Sequence, residues 1–276
     1  MLIDTHCHLD AGEFDADRAD VVAEALRAGV GMMVVPAVER ANFEAVTGVC
    51  RDYAVCVAAY GIHPMYVGHA LETDLGALRE VLRAYPESVV AVGEIGLDYF
   101  VPERDDRRQE FFFVEQLKLA REFDLPVILH VRRAVDAILK QLRRYRPRGG
   151  IAHAFSGSAQ QADEFIKLGF KLGFGGAMTY PRALRIREMA ASLPITAIVL
   201  ETDAPDIPPE WLAKRRNQPG ELPRIAAELA QLRGLSVAEV ARVTSGNAIA
   251  VLPGLERPLV EAQAARSDED VRDVSH

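Results

Sequence analysis

The sequence predicts one α/β domain, a single (β/α)8 TIM barrel. Two observations predict this fold. Short segments rich in Val, Ile, Leu and Phe alternate along the chain with stretches of amphipathic helical pattern. No linker interrupts this alternation, and 276 residues, 49% of them hydrophobic, are enough for one barrel with a large core.

Each predicted strand is a short, mostly apolar run, as expected for strands buried on both faces of a parallel sheet. In chain order the strands are Leu2–Thr5, Gly31–Pro36, Ala54–Tyr60, Val89–Gly93, Val127–His130, Gly150–His153, Lys171–Gly175 and Ile198–Glu201. Eight strands with a helix after each one are the number that closes this kind of barrel.

Each predicted helix is a stretch in which apolar residues recur with helical spacing. In chain order the helices are Ala16–Ala28, Ala41–Arg51, Asp74–Ala84, Arg107–Phe123, Ala134–Tyr145, Ser158–Leu168, Arg182–Ala191, Glu221–Leu232 and Val237–Ile249. Gly29 and Gly169 directly follow two of these stretches and Gly234 lies two residues after a third, where helices commonly end. Residues 1–255 are therefore predicted to form the barrel domain, and residues 256–276 a polar tail.

The composition limits the classes of function. With 40 acidic and 32 basic residues the net charge is −8, so the overall field repels phosphate backbones and any nucleic-acid role must come from a local site. Three cysteines, an odd and small number, fit a reducing compartment better than a disulfide framework. The sequence shows no signal peptide and no long uncharged apolar stretch, so we expect a cytoplasmic protein with no membrane association. A monomer is the favoured oligomeric state, which the sequence itself leaves open.

Ionisable residues cluster at the predicted strand ends. They are His6 and His8 after the first strand, Glu94, His130 and His153 at the ends of the fourth, fifth and sixth, and Asp203 after the eighth. A barrel brings all these ends to one face, and residues i and i+2 of an extended chain point the same way. An H-x-H pair alone is often structural, but agreement among five strand ends favours a shared site.

The residue types at these positions indicate metal binding. Four imidazoles and two carboxylates without thiolates suit Zn, Mn, Co, Ni or Fe(II), and the set is large enough for two ions sharing a carboxylate. Two divalent ions are therefore the expected cofactor, with Mg, Mn and Zn as the first candidates. Glu94 lies among small and apolar residues, where an unpartnered carboxylate would be costly. Glu201 can instead pair with a Lys or Arg, and Cys7 should point away from the site.

The predicted mouth loops also supply cations and aromatic rings. Arg132 lies two residues after His130 and should face the same side. Local cations of this kind can attract a phosphodiester to an acidic protein, and aromatic rings can stack on bases. Most of these residues can instead be solvated at the surface, packed in the core or part of a lid. The set comprises Arg104, Arg132, Arg133, Lys214, Arg215, Arg216, Tyr66, Tyr99, Phe100 and Trp211.

An ordered set of motifs resembles the TatD-type metal-dependent deoxyribonucleases of the amidohydrolase superfamily. The resemblance covers about residues 3–250 and is carried by Ile3-Asp4-Thr5-His6-Cys7-His8-Leu9, Tyr60-Gly61-Ile62-His63-Pro64, Gly93-Glu94-Ile95-Gly96-Leu97-Asp98-Tyr99, Leu125-Pro126-Val127-Ile128-Leu129-His130, Arg132, His153-Ala154-Phe155-Ser156-Gly157-Ser158, Glu201-Thr202-Asp203-Ala204-Pro205, Arg216-Asn217-Gln218-Pro219 and Gly246-Asn247. Three positions depart from the family pattern, Met65, Asp206 and the Ala250-Val251-Leu252 ending.

The resemblance implies a ligand set and a substrate contact. It implies that His6, His8, Glu94 and Asp203 bind one ion, that Glu94, His130 and His153 bind a second, and that His63 contacts the substrate phosphate. The implied activity is hydrolysis of DNA, with an exonuclease acting on single-stranded ends expected because a barrel mouth is a pocket.

The chemistry fits the ligand set. Two ions can activate a water and neutralise charge on a phosphodiester, and Asp203 can orient that water or accept its proton. Arg132, His63 and Tyr99 are the predicted substrate contacts, with Glu94 and Asp203 as the catalytic residues. One alternative is a metal-dependent hydrolase of an aminoacyl-tRNA ester or a small amide or lactone. Glu94 argues against part of that group, since many amidohydrolases bridge their metals with a carboxylated Lys. The other alternative is a binding protein with an inactive site.

Overall fold

The computed structural model describes residues 1–256 and 258–259, and within them eight strands form one sheet in the order β1 to β8. Neighbouring strands pair in parallel throughout. The strands are β1 Leu2–Asp4, β2 Val30–Pro36, β3 Cys56–Tyr60, β4 Val89–Asp98, β5 Val127–Arg132, β6 Gly150–Ala152, β7 Phe170–Phe174 and β8 Ile198–Leu200. The predicted parallel barrel is confirmed.

Helices follow the strands on the outside of the sheet, as the amphipathic stretches predict. Within the described residues they are α1 Arg18–Arg27, α2 Phe43–Asp52, α3 Glu72–Ala84, α4 Asp106–Glu122, α5 Val135–Tyr145, α6 Ala159–Lys167, α7 Leu184–Ser192, α8 Leu222–Arg233 and α9 Val237–Val251. Helix α8 ends at Gly234, whose φ of 64° places it in the left-handed conformation that glycine adopts without strain. No described helix is long and apolar enough to cross a membrane.

The first and last strands meet through the chain that follows them. The Thr5 amide and hydroxyl both donate to the Leu200 carbonyl at 3.1 Å, and the Asp203 amide donates to the His6 carbonyl at 2.9 Å. These bonds bring the segment after β8 against the segment after β1. His6 and Asp203 are therefore held side by side by the backbone itself.

Strand β4 is longer than predicted. We expected it to end at Gly93, but it continues to Asp98, and its register on β5 shifts between Val92 and Ile95. Gly93 and Glu94 together occupy the place of one residue on β5, which is a β-bulge, and bulges re-aim the side chains they carry. Glu94 therefore lies inside the strand, not at its end. The glycines of this segment resemble a strand end in the sequence.

Gly96 shows why that segment needs glycine. Its φ is 149°, and a Cβ added there would lie 2.1 Å from the His130 carbonyl oxygen. The absence of a side chain lets β4 approach β5 at the point where both strands carry site residues. Strand β5 also extends past its predicted end at His130, to Arg132.

One apolar core fills the barrel and the layer between sheet and helices. Cys7 is fully buried in it, and its Sγ lies 3.8 Å from the Val34 carbonyl, which agrees with the predicted packing role. All three cysteines are free. Leu259 is also buried in this core. Of the predicted tail, residue 257 and residues 260–276 lie outside the described part of the chain.

Candidate metal centre

All six residues predicted to bind metal lie at the carboxyl-terminal mouth of the barrel. Their ligand atoms fall, together with those of one further residue, His63, into groups within which all atoms lie less than 4.8 Å apart. The groups found among the described residues are His6, His8 and Asp203, then His6, Glu94 and His153, and then His63, Glu94 and His130. His6 and Glu94 each belong to two groups, so the groups form one continuous cluster.

His6, His8, Glu94 and Asp203 converge on a common point. The Nε2 atoms of His6 and His8 are 3.2 Å apart, and His6 Nε2 lies 3.2 Å from Glu94 Oε2 and 3.6 Å from Asp203 Oδ1. His8 Nε2 lies 3.8 Å from the same Glu94 oxygen and 3.7 Å from the same Asp203 oxygen. Ligand atoms placed tetrahedrally at about 2.0–2.2 Å from an ion lie about 3.3–3.6 Å apart. The four donors therefore fit one cation.

Glu94 also faces a second pair of imidazoles. Its Oε1 lies 3.0 Å from His130 Nδ1 and 3.5 Å from His63 Nε2. The carboxylate thus presents one oxygen to His6 and His8 and the other to His130 and His63, which is how a bridging ligand is placed. His153 lies on the other side of the cluster. Its Nε2 is 3.3 Å from Asp203 Oδ1, and its ring stacks on His6 at a centroid distance of 3.7 Å.

The charges of the Glu94 and Asp203 carboxylates favour a bound cation. Burial raises the pKa of the Glu94 carboxyl, but His63, His6 and His130 outweigh it and hold that pKa well below its ordinary value. Burial also acts to raise the pKa of Asp203, but His153, His6 and His8 together outweigh it, so that pKa is lowered as well. Among the described residues neither carboxylate pairs with a Lys or Arg. Glu94 is buried and Asp203 is only 13% exposed, and carboxylates so placed without a Lys or Arg are costly in a protein and suit a bound metal ion.

The protonation of His63 follows from its backbone contact. The Met65 amide donates to His63 Nδ1 at 3.1 Å, so in the neutral ring the proton lies on Nε2. Burial lowers the pKa of His63, which favours that neutral form. Its Nε2–H therefore points into the cluster as a hydrogen-bond donor. His63 is close enough to Glu94 and His130 to share a metal ion with them. A protonated Nε2, however, suits an oxygen acceptor better than a metal ion.

Two carboxylates that were not predicted as site residues support the cluster from behind. Asp98, fully buried, lies 3.0 Å from His130 Nε2. Glu201 lies 3.0 Å from His153 Nδ1 and accepts a hydrogen bond from the Ala154 amide at 2.7 Å. Carboxylates in this position orient metal-binding imidazoles. Glu201 thus faces a histidine and not the Lys or Arg considered above. Asp98 lies in the motif Gly-Leu-Asp and Glu201 in the motif Glu-Thr-Asp. Their place in these motifs is the feature of the sequence that could have identified them as site residues.

A third buried carboxylate joins the two ends of the sheet. Asp4 accepts hydrogen bonds from the Thr202 hydroxyl at 2.6 Å, the Thr202 amide at 2.9 Å and the His6 amide at 3.3 Å. Burial raises the pKa of Asp4 to about 7 despite these bonds. Because Thr202 precedes Asp203, the bonds fix the relative positions of His6 and Asp203.

Two of the predicted substrate contacts, Arg132 and Tyr99, lie at the edge of the cluster. The Arg132 side chain is 51% exposed, lies 3.9 Å from Asp98 and stacks over the Phe100 ring at 4.0 Å. This places it on the same side as His130, as predicted. Tyr99 is half-buried beside Phe100.

Other members of the cationic and aromatic set serve structural contacts. Arg216 forms a two-pronged ion pair with Asp17, at 2.8 and 2.6 Å. The Trp211 indole donates to Glu221 at 2.7 Å. These two side chains are not brought to the cluster, because their partners hold them on the outer loops.

Known proteins resemble this chain along nearly its whole length. Residues 3–253 match the family model described as TatD related DNase. The uncharacterized metal-dependent hydrolase YjjV of Escherichia coli K12 is 44% identical over 246 residues, which are 89% of this chain and 95% of that protein. Human deoxyribonuclease TATDN3 is 31% identical over 273 residues, 94% and 97% of the two chains. The crystal structure of YjjV superimposes with a TM-score of 0.88 at 41% identity, covering 91% of this chain and 98% of that one. The chain is therefore a metal-dependent hydrolase and belongs to the TatD-related DNase family.

Proposed function

We propose that this protein hydrolyses phosphodiester bonds of DNA and removes nucleotides from single-stranded ends. The observation that carries the proposal is the convergence of four histidines and two carboxylates beside the Nε2–H of His63. The family is described as related to DNases, and human TATDN3 carries the name deoxyribonuclease. A pocket at a barrel mouth suits a strand end better than the middle of a duplex.

Two divalent ions fit the cluster, and Mg, Mn and Zn are the first candidates. His6, His8, Glu94 and Asp203 would hold one of them through the four converging atoms described above. Glu94 and His130 would contribute to the second, with His153 as the further ligand that the family resemblance implies. When bound, such ions act as Lewis acids toward water and toward the phosphate group.

Asp203 is the proposed proton acceptor. Its side chain is 13% exposed, so it borders the open mouth, whereas Glu94 is only 3% exposed. Its lowered pKa keeps the carboxylate ionised and able to accept a proton from an attacking water. The backbone φ of Asp203 is 60°, which is uncommon for a residue with a side chain. The hydrogen bond that its amide donates to the His6 carbonyl holds it in this conformation. Glu94 contacts His6 and His8 with one carboxylate oxygen and His130 and His63 with the other, so it would position the ligands of both ions.

His63 and Arg132 are the proposed phosphate contacts. The Nε2–H of His63 is a neutral donor next to the ligand cluster, which is where a scissile phosphate oxygen would lie. The partly exposed guanidinium of Arg132 adds positive charge at the rim, which a chain of net charge −8 needs in order to attract a phosphodiester. Tyr99, half-buried at the same rim, is the proposed contact for the sugar or base.

Hydrolysis of a labelled oligonucleotide tests this function. The protein is stripped of metal, supplied with Mg, Mn or Zn, and incubated with 5′-labelled single-stranded DNA beside the Asp203→Asn variant. Asp163→Asn, an exposed aspartate on α6, is the matched control. We expect a ladder that shortens from one end with wild type and with Asp163→Asn, and at least about a hundredfold slower loss with Asp203→Asn.

The alternative substrates are outcomes of the same experiment. If no metal supports DNA cleavage while the protein still binds metal, the proposal for DNA fails. Aminoacyl-tRNA esters and small amides or lactones would then be assayed with the same variants. If Asp203→Asn cleaves DNA at the wild-type rate, the role of Asp203 as proton acceptor is wrong.

A further inference from the structure

A second cleft opens next to the metal centre, between the loops that follow β5 and β6. Its volume is about 520 Å³, within the range of small-molecule sites, and none of the proposed metal ligands lines it. Its polar lining residues are Tyr99, Arg133, Asp136, Ser156, Ser158, Gln161 and Arg185.

The cleft is close enough to the metal centre to receive the same substrate. Arg133 follows His130 by three residues, and Ser156 follows His153 by three residues. Three residues of fully extended chain span about 10 Å. One nucleic-acid strand can therefore pass from the cluster to the cleft.

The two arginines of the cleft have unused hydrogen-bond donors. Within the described residues neither Arg133 nor Arg185 forms a hydrogen bond or an ion pair, and Arg185 has no ring contact. Arg187, two residues further along the same helix α7, is by contrast paired with Glu228 at 2.6 Å. The cleft therefore holds cations that no carboxylate neutralises.

The local backbone and an aromatic ring position Arg133. Its φ is 55°, which is sparsely populated for residues with a side chain. Its guanidinium lies over the Phe100 ring at 4.5 Å, and Arg132 lies over the same ring at 4.0 Å. Stacking of this kind orders a guanidinium and leaves its N–H groups free to bind an anion.

The rest of the lining also favours an anion. Helix α5 begins after Ala134, which offers no capping side chain, and residues of its first turn line the cleft. The acidic residue of the lining, Asp136, accepts a hydrogen bond from Gln161 at 3.0 Å. Two arginines and one aspartate leave a net positive cleft, and the exposed Ser156 adds a hydroxyl donor.

We propose that this cleft binds a second phosphate group of the substrate, one that is not cleaved, with Arg133 and Arg185 as its cationic contacts. This proposal rests on the proposed phosphodiesterase function. A second phosphate site would make the protein bind a nucleotide chain more tightly than a substrate with a single phosphate ester. The second phosphate is either the next internal phosphodiester or a terminal phosphate of the strand.

The test compares binding and turnover in metal-loaded Arg133→Ala and Arg185→Ala proteins. Arg182→Ala is the matched control, since Arg182 is exposed nearby but does not line the cleft. Binding is measured by fluorescence anisotropy with a labelled single-stranded phosphorothioate oligonucleotide, with and without a terminal phosphate. Turnover is measured on an unmodified oligonucleotide and on bis(p-nitrophenyl) phosphate, which carries one phosphate only.

We expect each cleft variant to weaken oligonucleotide binding about tenfold, the effect of losing one hydrogen bond to a charged group. The slope of log affinity against log salt should fall by about 0.7. The loss of kcat/KM on the oligonucleotide should exceed that on bis(p-nitrophenyl) phosphate by about the same tenfold factor. A loss confined to the terminally phosphorylated oligonucleotide identifies the terminal phosphate as the ligand, and a loss on both identifies an internal one.

Affinities equal to that of Arg182→Ala, or equal losses on both turnover substrates, would overturn the cleft proposal. The two proposals can fail separately. If wild type hydrolyses neither substrate but the binding differences persist, the phosphodiesterase function is wrong and the phosphate site stands.

Discussion

Gln116 forms hydrogen bonds with both backbone groups of Ile62. The Ile62 amide donates to Gln116 Oε1 at 2.6 Å, and Gln116 Nε2 donates to the Ile62 carbonyl at 3.0 Å. Ile62 precedes His63, so helix α4 holds the loop that carries the proposed phosphate contact. Two turns earlier on the same helix, Gln109 forms the same pair of bonds with the backbone of Asp98.

Replacing Gln116 by Met should therefore destabilise the protein strongly. The substitution keeps the volume but leaves the buried Ile62 amide and carbonyl without partners, at a cost of about 1–3 kcal/mol each. We expect the free energy of unfolding to fall by about 2–4 kcal/mol, measured by urea denaturation. Lys118→Met, an exposed position on the same helix, is the control. Equal urea midpoints for the two variants would show that the paired bonds contribute little.

Asp98→Asn should weaken metal binding without removing a ligand. Asp98 lies 3.0 Å from His130 Nε2, and loss of its charge makes that imidazole a poorer ligand. Changes behind a ligand typically cost about 10–100-fold in metal affinity. Competition with a chelating indicator measures that affinity, and Asp163→Asn again serves as the control. Wild-type affinity in Asp98→Asn would argue that His130 does not bind metal.

Removing metal should lower the thermal stability. A ligand present at a hundred times its Kd stabilises a folded protein by about 2.7 kcal/mol. For a chain of 276 residues, that corresponds to a shift in Tm of about 5 °C. Calorimetry with added Mn or Zn, compared with excess chelator, should show this shift for wild type and not for Glu94→Gln. A Tm that does not respond to chelator in wild type contradicts a tightly bound metal.

His63→Ala should impair turnover while the metal content stays the same. Its Nε2–H is assigned to a phosphate oxygen because the Met65 amide occupies Nδ1. Losing one hydrogen bond to a charged group corresponds to about 10–100-fold in kcat/KM. Elemental analysis of the purified variant, beside the exposed His69→Ala, gives the metal content. A stoichiometric loss of metal in His63→Ala would identify His63 as a ligand instead.

The sequence was sufficient for the fold and for the cluster of six residues. Apolar strands alternating with amphipathic helices specify the barrel, and the barrel brings residues as distant as His6 and Asp203 to one mouth. The polar residues at strand ends were informative because few interactions other than a metal stabilise so many of them together.

The remainder of the site depends on details that sequence spacing does not encode. The bulge at Gly93 and Glu94 is a shift in strand register, and the glycines around it look like a strand end. The contacts of Asp98 and Glu201 with histidines depend on ring orientation. The cleft brings Arg133, in the loop after β5, together with Arg185 of helix α7, so it exists only once these elements have packed around the barrel.

Metal titration of hydrolysis shows whether the cluster around Glu94 is a catalytic metal centre. Metal-free protein is titrated with Mn or Zn while the rate of bis(p-nitrophenyl) phosphate hydrolysis is recorded, in parallel with Glu94→Gln. We expect no turnover without metal, a rate that rises and saturates near two equivalents, and no response in Glu94→Gln. Turnover by the metal-free protein at the saturated rate, or a full response in Glu94→Gln, would contradict this assignment.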